Sequence, residues 1–374
     1  MLKLPSRPTY LEVDLQRLRQ NLENIKAFVK PAKVMAVLKA NAYGHGVDGV
    51  APFLAPFTDY IGLALVEEGI HLRELGIAKP ILIMGGSLPE QIPLFIKHDL
   101  ILAASTPELL ETADNLARLE QTRLKVHLKI DTGMERIGVH DYEAEPFLKK
   151  SLSCSHLEIE GIFSHFANSE VPDLNHAKLQ LERFEEVLSF YDKRSIPRPP
   201  IRHMANSGAI LQFPESHLDM VRPGVMLYGV YPGLEVKQTI EVKPALKWHS
   251  KVAYSKITLP GRPVSYGSLW QSDAPTRILT IPCGYADGYF RTMSNKATVI
   301  VNGKKYPQVG RICMDQLMVN LGKDDAHVGD EVILLGESEK GQRIDPEDLA
   351  GWAGTNEYEV MTNISARVPR VFVS

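Results

Sequence analysis

Val34-Met35-Ala36-Val37-Leu38-Lys39-Ala40-Asn41-Ala42-Tyr43-Gly44-His45-Gly46 is the stretch from which the rest of this chain is read. A short apolar run bounded by turn residues is a buried-strand candidate. Lys39 stands where the run stops, ahead of a polar, glycine-bearing turn. A lysine so placed emerges from a core at the mouth of a site. An apolar wall lowers its proton affinity, and a partly neutral amine can form a Schiff base. The same pattern also fits an ordinary solvated strand terminator, so the other strand ends have to separate the two.

Outward from that stretch, short apolar runs alternate with helix-like segments up to about residue 229. An opening strand at 10–13 leads into an amphipathic helix over 15–29, with Leu15, Leu18, Leu22, Ile25 and Val29 at helical spacing. Eight strand candidates follow, at 34–38, 60–65, 81–84, 100–103, 124–130, 159–164, 201–204 and 218–221. Ser105-Thr106-Pro107-Glu108 supplies the cap, proline and acid of a helix start, and 178–191 is strongly helical in period. Eight strands alternating with helices predict a parallel sheet closed into a (β/α)8 barrel. From 241 the texture turns β-rich, with runs at 252–259, 277–281, 298–301, 317–320 and 331–335 between Pro-Gly, Asn-Gly and Gly-Asp turn signals, and a further helix over 349–361. The expected organisation is a barrel domain at 1–240 and a mostly β C-terminal domain at 241–374, with the crossing at 233–243.

The composition excludes several classes. At 374 residues, 44% apolar and 23% charged, the chain is long enough for two soluble domains. A net charge of −3 gives no electrostatic footprint for nucleic acid or an anionic membrane. No stretch approaches the roughly 20 apolar residues of a membrane span, and the N-terminal stretch has no apolar signal core. Cys154, Cys283 and Cys313 form neither a disulfide framework nor a zinc pattern, and the histidines lack metal-ligand spacing. A reduced, cytoplasmic protein without a metal is expected.

In a barrel of this kind, functional groups collect at the C-terminal ends of strands. Strand one ends at Lys39. Strand five runs into Lys129-Ile130-Asp131-Thr132-Gly133-Met134-Glu135-Arg136, and strand six into Ser164-His165-Phe166. Strand seven is followed by Asn206-Ser207-Gly208 and strand eight by Arg222-Pro223-Gly224-Val225. Cations sharing one mouth repel and lose solvation unless anions compensate, so a phosphate and a carboxylate are expected there. Asn206-Ser207-Gly208 at a helix start can present N–H groups to a phosphate.

These residues carry a resemblance. VLKANAYGHG resembles the pyridoxal-phosphate lysine motif of bacterial alanine racemases, the fold type III enzymes. TGMERIG, GIFSHFA, MANSGA, RPGVMLYG, VSYGSLW, GYADGY, GRICMDQ and RVPRV look like the corresponding family segments, in order, from about Tyr10 to Val373. The resemblance implies a racemase interconverting L-alanine and D-alanine for peptidoglycan, with pyridoxal 5'-phosphate as cofactor. It implies that Lys39 binds the cofactor and is one base, and that Tyr266, from the partner subunit of a homodimer, is the other. Arg136 and the Met314 backbone would bind the substrate carboxylate, and Tyr285 would narrow the entrance. His165 would stack near the cofactor ring and Arg222 would donate to its nitrogen. Tyr43, Asn206, Ser207, Gly224, Val225 and Tyr358 would belong to the cofactor site, mostly around the phosphate. Lys129 is carbamylated in many family members, and the same is expected here.

Two opposed bases remove a proton from one face of Cα and return it on the other without moving the substrate. Lysine and tyrosine have reference values of about 10.4 and 10, so both need lowering to act near neutral pH, and clustered cations do that. Glu135 and Asn168-Ser169-Glu170 depart from the family pattern as loop details. A racemase for serine or basic amino acids is the alternative. A non-catalytic cofactor-binding protein would lack the region from 240 on, and a decarboxylase would present an acid rather than Arg222 to the cofactor nitrogen. The triplet Asp131-Thr132-Gly133 is read as structural because the protease chemistry it mimics needs two such carboxylates. Cys313 is read as a buried, inert thiol.

Overall fold

The apolar run around Val34 forms the strand Lys33–Val37. Seven parallel strands follow it, at Tyr60–Leu63, Ile81–Ile83, Ile101–Ala104, Leu124–Asp131, Leu157–Phe163, Ile201–His203 and Met220–Val221. They are the expected eight, seen in a computed structural model that describes residues 6–374. The opening residues 1–5, part of the stretch read for a signal sequence, lie outside the described residues.

Each strand pairs with the next as far as Ile201–His203, and Met220–Val221 pairs back onto Lys33–Val37, so the sheet curls into the expected barrel with one seam. The seam between the last two strands is held by Asp219 N–H to Arg202 O at 3.0 Å and Arg222 N–H to Ala205 O at 2.9 Å. Strands covered on both faces are apolar throughout. Met35, Tyr60, Leu82, Ile101, Ala103, Phe163, Ile201 and Met220 meet in one buried cluster. The helix Leu15–Val29 buries Leu18, Leu22, Ile25 and Val29. Thr106 caps Pro107–Leu119 by accepting from Leu109 N–H at 3.1 Å. Both follow the sequence signals.

The chain divides into two compact units. One contains Leu18–Ala42 and Val47–Lys243, and hence the barrel strands. The other contains the described residues up to Arg17, Tyr43–Gly46 and Pro244–Ser374. In the latter, Tyr10–Asp14 lies between Leu246–Lys251, antiparallel, and Arg370–Val373, parallel. The opening strand therefore serves this sheet and not the barrel. Leu246–Lys251 and Lys304–Pro307 escape the sequence reading because Lys, His and Ser interrupt their apolar pattern. A separate antiparallel sheet joins Tyr254–Thr258, Thr276–Ile281 and Leu317–Gly322. The single helix expected over 349–361 is two, Pro346–Ala353 and Glu357–Thr362, because Gly354 turns left-handed at φ 79°. No helix among the described residues is long and apolar enough to cross a membrane.

Candidate active site

Lys39 leaves the first barrel strand on an unusual turn. Ala40, Asn41, Ala42 and Tyr43 take φ of 53°, 55°, 53° and 50°. Left-handed backbone costs an L-residue roughly 1–2 kcal/mol, so something has to hold it. Ala42 N–H closes the turn on Leu38 O at 2.9 Å. Glu68 accepts from Ala40 N–H at 2.6 Å, and its other oxygen accepts from Ala64 and Leu65 at 2.9 and 3.1 Å. Asn41 Oδ1 accepts from Val47 N–H at 2.8 Å. The carboxylate thereby ties the lysine turn to the end of the second strand.

The ends of strands five to eight are built as tightly. The Asp131 carboxylate accepts from the N–H groups of Gly133, Met134, Glu135 and Arg136 at 2.9, 2.9, 3.2 and 3.1 Å. It shapes the turn that presents Arg136, and the reading of Asp131 as structural agrees with this. Lys129 Nζ, fully buried, donates to Ile130 O at 3.1 Å and lies over the Phe163 ring. Arg222, 3% exposed, donates to Ser164 O, Met204 O, His165 Nδ1 and His203 Nδ1 at 2.8–3.0 Å. A guanidinium has no acceptor, so both imidazoles accept and are neutral. Asn206 caps Ser207–Gln212 through Ala209 N–H at 3.1 Å, and Ser207 Oγ accepts from Gly224 N–H at 3.0 Å. Val225 is buried beside them in sequence.

The barrel site is electropositive. Burial, then Arg136, pulls Lys39 below its ordinary value, with Glu68 opposing. Burial, Arg222 and Arg136 bring Lys129 down to about 7 against the pull of Asp131. Burial and Arg136 bring Arg222 down to about 9, which leaves it charged at neutral pH. Burial, Arg222, Lys129, Arg136 and Lys39 hold His165 well below its usual range. Among the described residues, none of Lys39, Lys129, Arg136 and Arg222 forms an ion pair with a carboxylate.

The remaining predicted residues belong to the other unit. Tyr43 and Tyr358 approach with ring centroids 6.1 Å apart, and burial pushes the Tyr43 phenol up. Gly44 permits that fold, since a Cβ there would lie 2.1 Å from Met361 O. Tyr266 is 72% exposed on a turn where Ser265, Gly267 and Ser268 all have positive φ, at 68°, 73° and 52°. Ser265 Oγ donates to Arg311 O at 2.6 Å to hold it. A groove of about 840 Å³ runs beside Tyr266, lined by Ile257, Leu259, Val264, Ile278, Cys313 and Met318 among others. Tyr285 N–H donates to Cys313 O and Ala286 N–H to Met314 O, both at 3.0 Å. Met314 and Tyr285 are exposed. Cys313 is half-buried rather than buried, with Sγ directed at Arg311 O.

Sequence reasoning missed Glu68 and Gln180. Gln180, on Asn175–Asp192, donates to His165 O at 3.0 Å and accepts from Ala167 N–H at 2.9 Å, which steadies the end of strand six. A glutamine on the buried side of a helix was the available signal.

Residues 13–232 match the family model described as alanine racemase, N-terminal domain, and residues 245–372 the one described as alanine racemase, C-terminal domain. The chain belongs to the alanine racemase family. An alanine racemase of Halothermothrix orenii is 42% identical over 375 residues, covering 100% of this chain and 98% of that protein. One of Carboxydothermus hydrogenoformans is 43% identical over 371 residues, covering 98% of this chain and 100% of that protein. The solved alanine racemase of Clostridium difficile 630 superposes with a TM-score of 0.92 at 37% identity, over 99% of this chain and 97% of that one. Alanine racemases are isomerases that work with pyridoxal 5'-phosphate. The barrel site fits that group. Among the described residues its cations lack carboxylate partners, and its lysine is shifted toward the neutral amine.

Proposed function

We propose that Lys39 and Tyr266 are the two bases of an alanine racemase that converts L-alanine to D-alanine and back, supplying D-alanine for peptidoglycan in the cytoplasm. The observation that carries the reading is the half-buried Lys39 among cations that no carboxylate pairs with among the described residues. Pyridoxal phosphate, when bound, supplies an electron-withdrawing ring that acidifies the substrate Cα–H. Lys39 would hold it through Nζ and exchange a proton on one face of the substrate. Tyr266 would exchange the proton on the other. Arg136 would take the substrate carboxylate. Met314 carbonyl already accepts from Ala286, so its N–H is the group it would add. Tyr285 would bound the entrance. Ser207, Gly224, Val225 and Asn206 from the barrel, with Tyr43 and Tyr358, would surround the phosphate. His165 would lie against the ring and Arg222 would donate to its nitrogen. An always-cationic partner leaves that nitrogen unprotonated and the ring a milder electron sink, which disfavours side reactions. Lys129, with its value near 7, would add carbon dioxide through Nζ and lose a proton. The resulting anion would brace Arg136.

The exposed Tyr266 and the groove beside it, which Leu259 and Val264 line together with Lys256 and Arg262, support a homodimer in which each Tyr266 serves the partner's cofactor. Along the sequence we take residues 1–240 and 241–374 as the two working domains, although the opening strand and Tyr43–Gly46 group with the second in space. The full-length protein with cofactor should show a visible band that borohydride removes, and peptide mapping should find the label on Lys39. It should form D-alanine from L-alanine, with serine and lysine turned over far more slowly. A label elsewhere, or no D-alanine, would refute the assignment. Sedimentation at assay concentration tests the dimer, because a fully active monomer is incompatible with shared sites.

A further inference from the structure

A file of polar side chains runs through the barrel interior, where apolar residues usually fill the space. His203 Nδ1 accepts from Arg222 Nη1 at 2.8 Å. His203 Nε2 therefore carries the proton, and donates to His127 Nδ1 at 2.8 Å. His127 Nε2 then donates to Glu160, 3.3 Å away. The Tyr60 hydroxyl faces the same carboxylate, and burial, then the charge of that carboxylate, raises the phenol. Arg222 is an obligatory donor, so every proton in the file has only one place to be.

The barrel is shaped to house this file. The pairing of Leu124–Asp131 with Leu157–Phe163 slips at Val126 and His127, and Gly161 stands opposite His127. A Cβ on Gly161 would lie 2.5 Å from His127 Nδ1. The His203 ring stacks on Phe163 at 4.7 Å and 3°. Both imidazoles are fully buried, and burial holds both below their usual range. A bulge, a glycine and a stacked ring together accommodate two buried imidazoles where apolar packing would have sufficed.

Arg222 explains the arrangement. Its contacts are to neutral acceptors, and a buried cation without a compensating anion is costly. A carboxylate in direct contact would offset the charge but would compete for the N–H groups. We propose that Glu160 is the remote counter-ion of Arg222, coupled to it through His127 and His203, and that Glu160, His127 and His203 are positioning residues. Carboxylate-polarised imidazole is the better acceptor, so His203 grips Arg222 while the guanidinium face toward the site stays available. The inference rests on reading Arg222 as the partner of the cofactor's ring nitrogen.

The test separates the two readings. Glu160→Gln keeps an acceptor for His127 and removes the charge. Glu158→Gln, exposed on the same strand, controls for net charge. With the cofactor-loaded full-length protein, E160Q should move the visible band to longer wavelength, because the less-offset guanidinium draws on the ring. Because His203 grips Arg222 less firmly without the carboxylate and its positioning is lost, kcat should fall about 3- to 30-fold with little change in KM, while E158Q changes neither. Nitrogen-15 spectra of the histidine-labelled parent at neutral pH should find His127 and His203 neutral, protonated at Nε2. E160Q matching E158Q, or either ring charged or protonated at Nδ1, overturns the proposal. A parent with no visible band refutes the cofactor reading instead, and the nitrogen-15 spectra, which need no variant to fold, still decide the file.

Discussion

Lys39 and Tyr266 both ride on turns of positive φ, yet their surroundings differ. The lysine turn is pinned by the Glu68 carboxylate and an internal Ala42-to-Leu38 bond, and Lys39 is pulled toward its neutral form by burial and Arg136. The tyrosine turn has Ser265 bound to Arg311 O, and its ring is open to solvent beside a groove of mixed polarity. One turn arrives with its electrostatic setting complete within its own unit. The other presents a side chain that its own unit leaves uncovered. Strain is common to both, and only one has its environment in place.

The largest effect that could break this contrast is at the lysine. Lys39→Ala should lower alanine racemisation by at least about 10³-fold and abolish the borohydride-stable label, since no other amine is placed for both tasks. Survival of the label would mean the barrel setting is not specific to Lys39. Tyr266→Phe should keep the cofactor's visible band and lose roughly 10²- to 10⁴-fold in racemisation. Equal rates with the parent would leave the open turn without a catalytic role.

Smaller effects sharpen the comparison. Glu68→Ala removes the acceptor for three backbone N–H groups and should lower unfolding free energy by about 1–3 kcal/mol in urea titrations. A neutral outcome would show that the left-handed turn holds itself. Gly267→Ala meets no close atom but adopts φ 73° with a side chain, so it should lose only about 1 kcal/mol. A much larger loss would show the Tyr266 turn to be more tightly constrained than it looks.

Lys129 gives a pH signature. Its folded value is about 7 against an ordinary 10.5. Between those values the unfolded chain binds the proton and the folded chain does not, so stability rises with pH across that window and the full penalty remains below about 7. Urea titrations across the window should show the rise, and Lys129→Gln should flatten it. The carbamate binds no amine proton at any of these pH values, so a rise that continues below about pH 7 in bicarbonate-rich buffer and stops there without it would favour the carbamate.

The barrel was legible because its strands are buried on both faces and read as apolar runs, Lys33–Val37 being the model case. Leu246–Lys251 was not, because a strand with a polar rhythm has no period that distinguishes it from a loop until its neighbours are known. The cationic strand ends were legible from position alone. Glu68, Gln180 and the file from Glu160 to His203 were not, because each acts across an element boundary, and sequence separation says nothing about which carboxylate meets which N–H.

By itself the sequence determined the alternation of strands and helices, the cations at their ends and the family they resemble, because apolar periodicity and ordered motifs are local properties. Only the tertiary structure decided that Tyr10–Asp14 leaves the barrel for the other sheet, that Ala40–Tyr43 coils left-handed, and that Arg222 is wired to Glu160 through two imidazoles. Hydrogen-bond pairing, steric room and the direction of a proton along a file are fixed by which groups meet in space. A chain read one residue at a time does not contain that information.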